Sequence, residues 1–282
     1  GILSYRDVNY SMTGDLDATA FDITNLYNQK AELEHYSAEL QLQGESFGGN
    51  LKWVVGGYYY HEEGLERGPG TFFGERNAAG SIIGFPGLID QAATIKNDSY
   101  SLFAQGSYEL ADGLTFTAGG RMNWDKRRMT LLTKNIGNCA LKVVNPNNPS
   151  STVTLPNDQC AVPLGKTFSQ PTGNVSIDYK VAPGVLVYAT SRLGYRSGGF
   201  NLRADEPVEY VAFKPEKVID AEIGTKADWS LGGIRMRSNI SAYHQWYDQI
   251  QRTVAIENFG GAPGSSVINA AKAKVFGIEV QQ

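Results

Sequence analysis

No stretch of the 282-residue chain approaches the run of about eighteen apolar residues that a membrane-crossing helix requires, so a helical span is excluded. A basic excess is missing too: 25 Lys and Arg stand against 29 Asp and Glu, a net charge of −4, and nucleic acid is not an expected partner. Methionine is scarce at 4 and proline modest at 11, whereas 32 Gly, 15 Tyr and 12 Phe suit strands and turns better than a helical bundle. The three histidines, His35, His61 and His244, are too scattered to pair as metal ligands, and no cofactor is expected. No charged n-region followed by an apolar segment opens the chain, which begins Gly1-Ile2-Leu3 and reads as a mature protein or a fragment. Cys139 and Cys160 are the only cysteines. A disulfide between them would close a Pro/Asn-rich loop, stabilise it by ~3 kcal/mol and imply an oxidising compartment. Two reduced, unpaired thiols are the alternative.

What the chain has in quantity is period-two alternation. From His35, the positions Tyr36, Ala38, Leu40 and Leu42 are apolar while Ser37, Glu39, Gln41 and Gln43 are polar. The pattern returns at Leu51–Tyr59, Tyr100–Leu110, Leu114–Trp124, Val175–Tyr179, Val185–Tyr195, Ile219–Trp229 and Ile234–Trp246. Flanking strands at about Ile2–Tyr10 and Val267–Val280 bring the expected count to about ten. Runs of roughly ten to fourteen residues exceed ordinary soluble strands and suit the ~9–11 tilted residues that cross a bilayer. Tight turns at 45–50, 111–113, 181–184 and 230–233 alternate with long polar loops at about 62–93, 130–168, 197–218 and 252–266. Short turns on one rim and long loops on the other predict an all-β, transmembrane antiparallel β-barrel.

Aromatic placement sharpens that reading. On the apolar parity, Trp53, Tyr108, Phe116, Tyr179 and Trp229 sit near the tight turns, and Tyr36, Tyr59, Tyr100, Trp124, Tyr195 and Trp246 near the long loops. Two such rows fit the girdles that border a lipid belt ~25 Å tall, whereas a soluble sandwich gains nothing from rings confined to strand ends. The opposite parity carries Glu39, Gln105, Arg121, Asp125, Arg192, Arg196, Asp220, Glu222 and Lys226. These must look into a hydrated or plugged lumen, because a charge in the lipid midplane costs ~2–4 kcal/mol.

Catalytic motifs fail on context. "GESFG" fits G-x-S-x-G, but a strand follows it where a helix is required, so Ser46 reads as a turn residue. "DLDATAFDITNL" begins like a calcium loop yet has Ala20 for the turn glycine and Leu26 for the bidentate glutamate. The 62–93 loop, with Phe72, Phe73, Phe85, Arg67 and Arg76, combines apolar and cationic groups suited to an aromatic or anionic ligand, or to a packed loop cluster. Arg192 and Arg196, around "GYRSGGFN", are the other candidates for attracting an anion; the alternative is a strand exit with no ligand role. There Gly194, Gly198 and Gly199 are expected to let the strand bend outward, and Pro215 to preset the return.

"GYRSGGFN" followed by "FKPEKVIDAEIGTK", together with "SAELQLQGESFGGNLKWVVGGYYYHEE", "YHQWYDQIQ" and "NAAKAKVFGIEV", resembles the barrel of TonB-dependent outer-membrane receptors, especially the siderophore-receptor-like group, over essentially the whole chain. The resemblance implies about ten strands of a roughly 22-stranded barrel in the bacterial outer membrane. It also implies a plug domain and closing strands outside residues 1–282, contact with the TonB complex through that plug, and uptake of a small-molecule ligand such as an iron chelate. Outer-membrane lipid would surround it. A passive pore or structural envelope barrel is the second expectation, and an enzyme is not expected.

Overall fold

The computed structural model describes residues 1–15, 18, 24–72, 88–257 and 263–282, and among them no α-helix occurs. Ten long strands form one antiparallel sheet: β1 (Ile2–Asp15), β2 (Thr24–Ser46), β3 (Leu51–Phe72), β4 (Leu88–Ala111), β5 (Leu114–Leu131), β10 (Val162–Ala182), β11 (Val185–Arg196), β12 (Glu216–Leu231), β13 (Ile234–Asp248) and β16 (Ala273–Gln281). Each pairs with its predecessor in that order. Between β5 and β10 lie short strands β6 (Lys134–Asn135), β7 (Asn138–Cys139), β8 (Lys142–Asn145) and β9 (Asn148–Thr154). A separate hairpin, β14 (Gln251–Glu257) with β15 (Pro263–Asn269), precedes β16.

The register confirms the parity. Tyr59 lies opposite Tyr100 and Tyr100 opposite Trp124, so three outer aromatics form one row across β3–β5. The Tyr59 and Tyr100 ring centroids are 4.9 Å apart, and Tyr36 extends the row to β2, 5.9 Å from Tyr59. Near the turns, Tyr108 faces Phe116 across β4–β5. At ~3.3 Å per residue and ~40° tilt, the eight positions between these rows span about 20 Å of membrane normal, the scale of an outer-membrane hydrocarbon belt. Outward positions between them, such as Val55, Gly57, Leu102, Ala104, Ala118 and Met122, include no charged residue. The few hydroxyls in the belt are satisfied internally: Ser191 Oγ donates to Asp220 O (2.7 Å), Thr225 Oγ1 to Leu186 O (3.1 Å), and Ser238 Oγ accepts from Trp229 Nε1 (3.0 Å). Without water at that depth, a lone polar group would cost several kcal/mol.

Several strands outrun the expected ten to fourteen residues: β2, β3, β4, β5 and β10 have 23, 22, 24, 18 and 21. Much of the anticipated 62–93 loop is therefore strand, with Glu62 paired to Asn97 and Arg67 to Ala92. Alternation fades there because both faces stand in water beyond the membrane, so charge no longer discriminates between them. The expected last strand at Val267–Val280 is also divided, into the end of the β14–β15 hairpin and wall strand β16.

Outside the belt, the chain builds a second small core. Cys139 and Cys160 form a disulfide, and both cysteines pack with Ala93, Leu131, Leu141, Val162 and Ala204. Leu131 and Leu141 are fully buried. This core joins the 132–161 loop to the 197–215 loop, where Lys142 N donates to Asp205 O (2.9 Å) and Tyr210 Oη to Lys142 O (2.9 Å). Leu141→Ala should loosen both loops by about 2–5 kcal/mol through cavity formation. Proteolytic nicking within 132–161 and 197–215 should rise, while the membrane strands stay protected.

Candidate functional site

The inner wall of β3–β5 gathers rings and cations on the lumenal parity. Arg121 places its guanidinium 5.2 Å from the Tyr58 ring centroid and 5.7 Å from that of Phe103. Phe103 can lie across the wall because its cross-strand partner is Gly56, where a Cβ would come within 2.5 Å of the ring. Arg121 Nε donates to Asn123 Oδ1 (2.8 Å), and Asn123 Nδ2 in turn donates to Gln170 O (3.1 Å), so the guanidinium is oriented by an amide. No carboxylate pairs with it among the described residues. A cation held by aromatic faces and one neutral acceptor retains its pull on an external anion.

Toward the loops the same face continues. Ser99 Oγ (2.6 Å) and the Tyr195 hydroxyl both donate to Asp125, with Arg127 4.0 Å away. Lys166 Nζ stands 5.5 Å from the Phe168 ring centroid. Tyr195 thus departs from the outer girdle in which the sequence pattern placed it. Pairing of β10 with β11 ends at Gly173 and Leu193, and beyond that split the ring reaches Asp125.

Arg192 is differently situated. Its Nε lies 3.0 Å from both Asp220 carboxylate oxygens and its Nη2 2.7 Å from Glu222 Oε2. Tyr188 Oη donates to the other Glu222 oxygen at 2.5 Å. Two carboxylates absorb the charge, so Arg192 reads as a wall brace. Arg196 is exposed at the end of β11. Arg67 is bound to Asp90 through Nε (2.8 and 2.9 Å) and Nη2, on the outward parity rather than the lumen. Phe72 ends β3, and Phe73, Arg76 and Phe85 lie outside the described residues.

The "GYRSGGFN" motif turns out to be a joint. Gly198 passes so close to Phe213 O and the Phe168 ring that a Cβ would meet them at 2.4 and 2.6 Å, so close approach rather than outward bending demands glycine there. Asn201 exchanges two hydrogen bonds with the Val267 backbone (2.6 and 3.3 Å). Gln251 Nε2 donates to Ser197 O (2.9 Å) and Lys214 O (3.1 Å), and Gln251 N donates to Glu216 (2.7 Å). Side-chain amides thus stitch the β11–β12 loop to the β14–β15 hairpin.

The loop junction also carries a titrating group. Burial, then the charges of Glu209 and Glu206, push the Asp205 carboxyl up to about 6. The docked loops favour the protonated form, so docking is strongest below the ordinary aspartate value near ~4 and weakens as pH rises through about 6. Amide exchange across 199–211, corrected for intrinsic rate, should be slower near pH 5 than near pH 7.5. Asp205→Asn should remove that difference.

Tyr58 and Phe103 do not stand out in the sequence pattern, because both lie off the apolar parity that carries the girdle rings. Both sit on the polar face, Phe103 in register with Gln41, Gly56 and Arg121, and Tyr58 two residues along β3 from Gly56, opposite Glu39 and Ser101.

Comparison with known proteins agrees with this geometry. The family model described as TonB dependent receptor-like, beta-barrel, matches residues 2–282. Among solved structures, the ferric yersiniabactin uptake receptor FyuA from Yersinia pestis aligns with a TM-score of 0.71 at 15% identity, covering 99% of this chain and 36% of that one. The copper transporter OprC aligns at 0.59 and 13% identity, covering 99% of this chain and 40% of that one. The siderophore receptor PiuA from Acinetobacter baumannii aligns at 0.56 and 16% identity, covering 91% of this chain and 37% of that one. At such identities the likeness establishes the fold, and the chain spans well under half the length of these three proteins.

Proposed function

Since the chain belongs to the TonB-dependent receptor family, as its outer-membrane β-barrel, we propose that it forms the ligand-facing wall of an energised transporter for a ferric siderophore bearing anionic, aromatic chelating groups. The family is one of receptors and transporters rather than enzymes. The observation that carries the ligand class is Arg121, a lumenal cation between Tyr58 and Phe103 with no carboxylate partner among the described residues. Planar anions gain both charge attraction and ring contact from such a group. Lys166 beside Phe168 and exposed Arg196 would extend this surface toward the mouth. Energy would arrive from the TonB complex through a plug domain of the full-length protein.

The test is uptake of radiolabelled iron by cells with and without the full-length protein, supplied with ferric catecholate, carboxylate and hydroxamate chelates in turn. Loss of one anionic chelate is expected, with recovery from the wild-type gene but not from Arg121→Glu. Undiminished uptake of every chelate by the deletion strain would refute the reading. Uptake that survives collapse of the proton gradient would indicate a passive pore.

A further inference from the structure

Resting on the reading of Arg121 just given, we infer that Ser101 is a specificity-determining residue of that site. Its hydroxyl is held unpaired for one oxygen of an aryl carboxylate whose other oxygen meets the guanidinium. Other lumenal hydroxyls of β4 are satisfied by their neighbours: Ser99 Oγ donates to Asp125 (2.6 Å), and Ser107 Oγ bonds Thr117 Oγ1 (2.8 Å). Ser101 lies between them on the same face, is 4% exposed, and its Oγ has no hydrogen-bond partner. Register sets it between Tyr58 on β3 and Asn123 on β5. The Asn123 amide is already spent on Arg121 Nε and Gln170 O. A buried hydroxyl left alone costs stability with no return inside this wall, and a ligand oxygen would repay it.

Arg121 accounts for the burial. It leaves the wall in the row of Phe103, one row nearer the tight turns than Ser101. Its Nε reaches Asn123 on β5 (2.8 Å) while its guanidinium carbon stands 5.2 Å from the Tyr58 ring centroid on β3, so the head crosses β4 over Ser101. One neutral amide and two ring faces hold that head, whereas Arg192 is clasped by Asp220 and Glu222. A long side chain so lightly tethered can swing toward an anion in the lumen, and the swing uncovers the hydroxyl beneath. The anion then meets two donors side by side. A carboxylate suits them, with two coplanar acceptor oxygens, and the Tyr58 and Phe103 rings favour an aryl group behind it. The matching amide leaves the cation unanswered, so the pair of donors separates an acid from its neutral counterpart.

Binding of benzoate and of benzamide to the full-length protein in detergent, followed by ligand-observed NMR, tests the assignment beside urea unfolding of each variant. Wild type is expected to favour benzoate. Ser101→Ala should weaken benzoate about tenfold and benzamide far less, because the hydrogen bond to a charged acceptor is the stronger. Its unfolding midpoint should hold or rise, since the deleted hydroxyl has no partner in the free protein. Ser101→Cys, a weaker donor of similar volume, should give an intermediate loss and covers the case in which the alanine variant fails to assemble. Arg121→Ala should bring benzoate down to the benzamide level. Unchanged benzoate affinity in Ser101→Ala, with the loss confined to Arg121→Ala, overturns the inference and leaves the role of Arg121 standing. Equal losses of both probes with a lowered unfolding midpoint also overturn it, because Ser101 would then be packing alone. Benzoate affinity indifferent to both substitutions overturns the roles of Ser101 and Arg121 together.

Discussion

Ile223→Arg is expected to destabilise the barrel by about 2–4 kcal/mol, whereas Gln43→Arg should leave it nearly unchanged. Ile223 is exposed, faces outward between Ala189 and Ala242, and lies midway between the border level of Ile219 and the lower-rim Trp229. An arginine there has no carboxylate partner on its own parity and too great a depth for its stem to reach either interface without distorting the wall. Gln43 is exposed on the lumenal parity, opposite Val54, so an arginine at that site meets water. Urea unfolding of the full-length protein from lipid vesicles would read both values. Equal costs at the two positions would mean that the parities do not separate lipid from lumen.

Arg121→Ala should weaken binding of the transported ligand by roughly 10- to 100-fold, the scale of one charge-assisted contact worth about 1.5–3 kcal/mol. Arg121→Lys should recover only part of the loss, because an ammonium lacks the planar fork that stacks on Tyr58 and Phe103. Arg192→Ala should behave in the opposite sense. Its charge is already spent on Asp220 and Glu222, so affinity should change little while local stability falls, with two carboxylates left uncompensated. Fluorescence titration with the chelate identified by uptake would separate the two. Comparable losses of affinity in both alanine variants would contradict the division between a ligand-reading arginine and a bracing one.

Legibility of the fold followed the solvent. Where one face meets lipid and the other water, alternation is strict, and the ten wall strands, their tight turns and the aromatic rows at Tyr59, Tyr100 and Trp124 could be read from residue type alone. Beyond the outer row both faces are wet, and the strand segments around Glu62–Arg67 looked like loop for that reason. Tyr195 was misplaced because its parity is outward but the β10–β11 split lets its ring reach Asp125. The candidate site was only half visible. Arg121 stood out as lumenal, yet its partners Tyr58 and Phe103 come from other strands, and register rather than sequence distance brings them together. Arg192 was equally visible, but only the neighbouring strand's Asp220 and Glu222 reveal that its charge is taken.

Nitroxide labels placed singly at residues 219–227 of β12, in the full-length protein reconstituted in bilayers, can report access of oxygen and of a water-soluble paramagnetic complex. Odd positions, Ile219 to Ala227, should be rich in oxygen contact and poor in contact with the aqueous reagent, and even positions, Asp220 to Lys226, the reverse. A profile without that alternation, or one with the aqueous reagent reaching Ala221 and Ile223 as readily as Glu222, would show that this wall does not divide a lipid belt from a hydrated lumen.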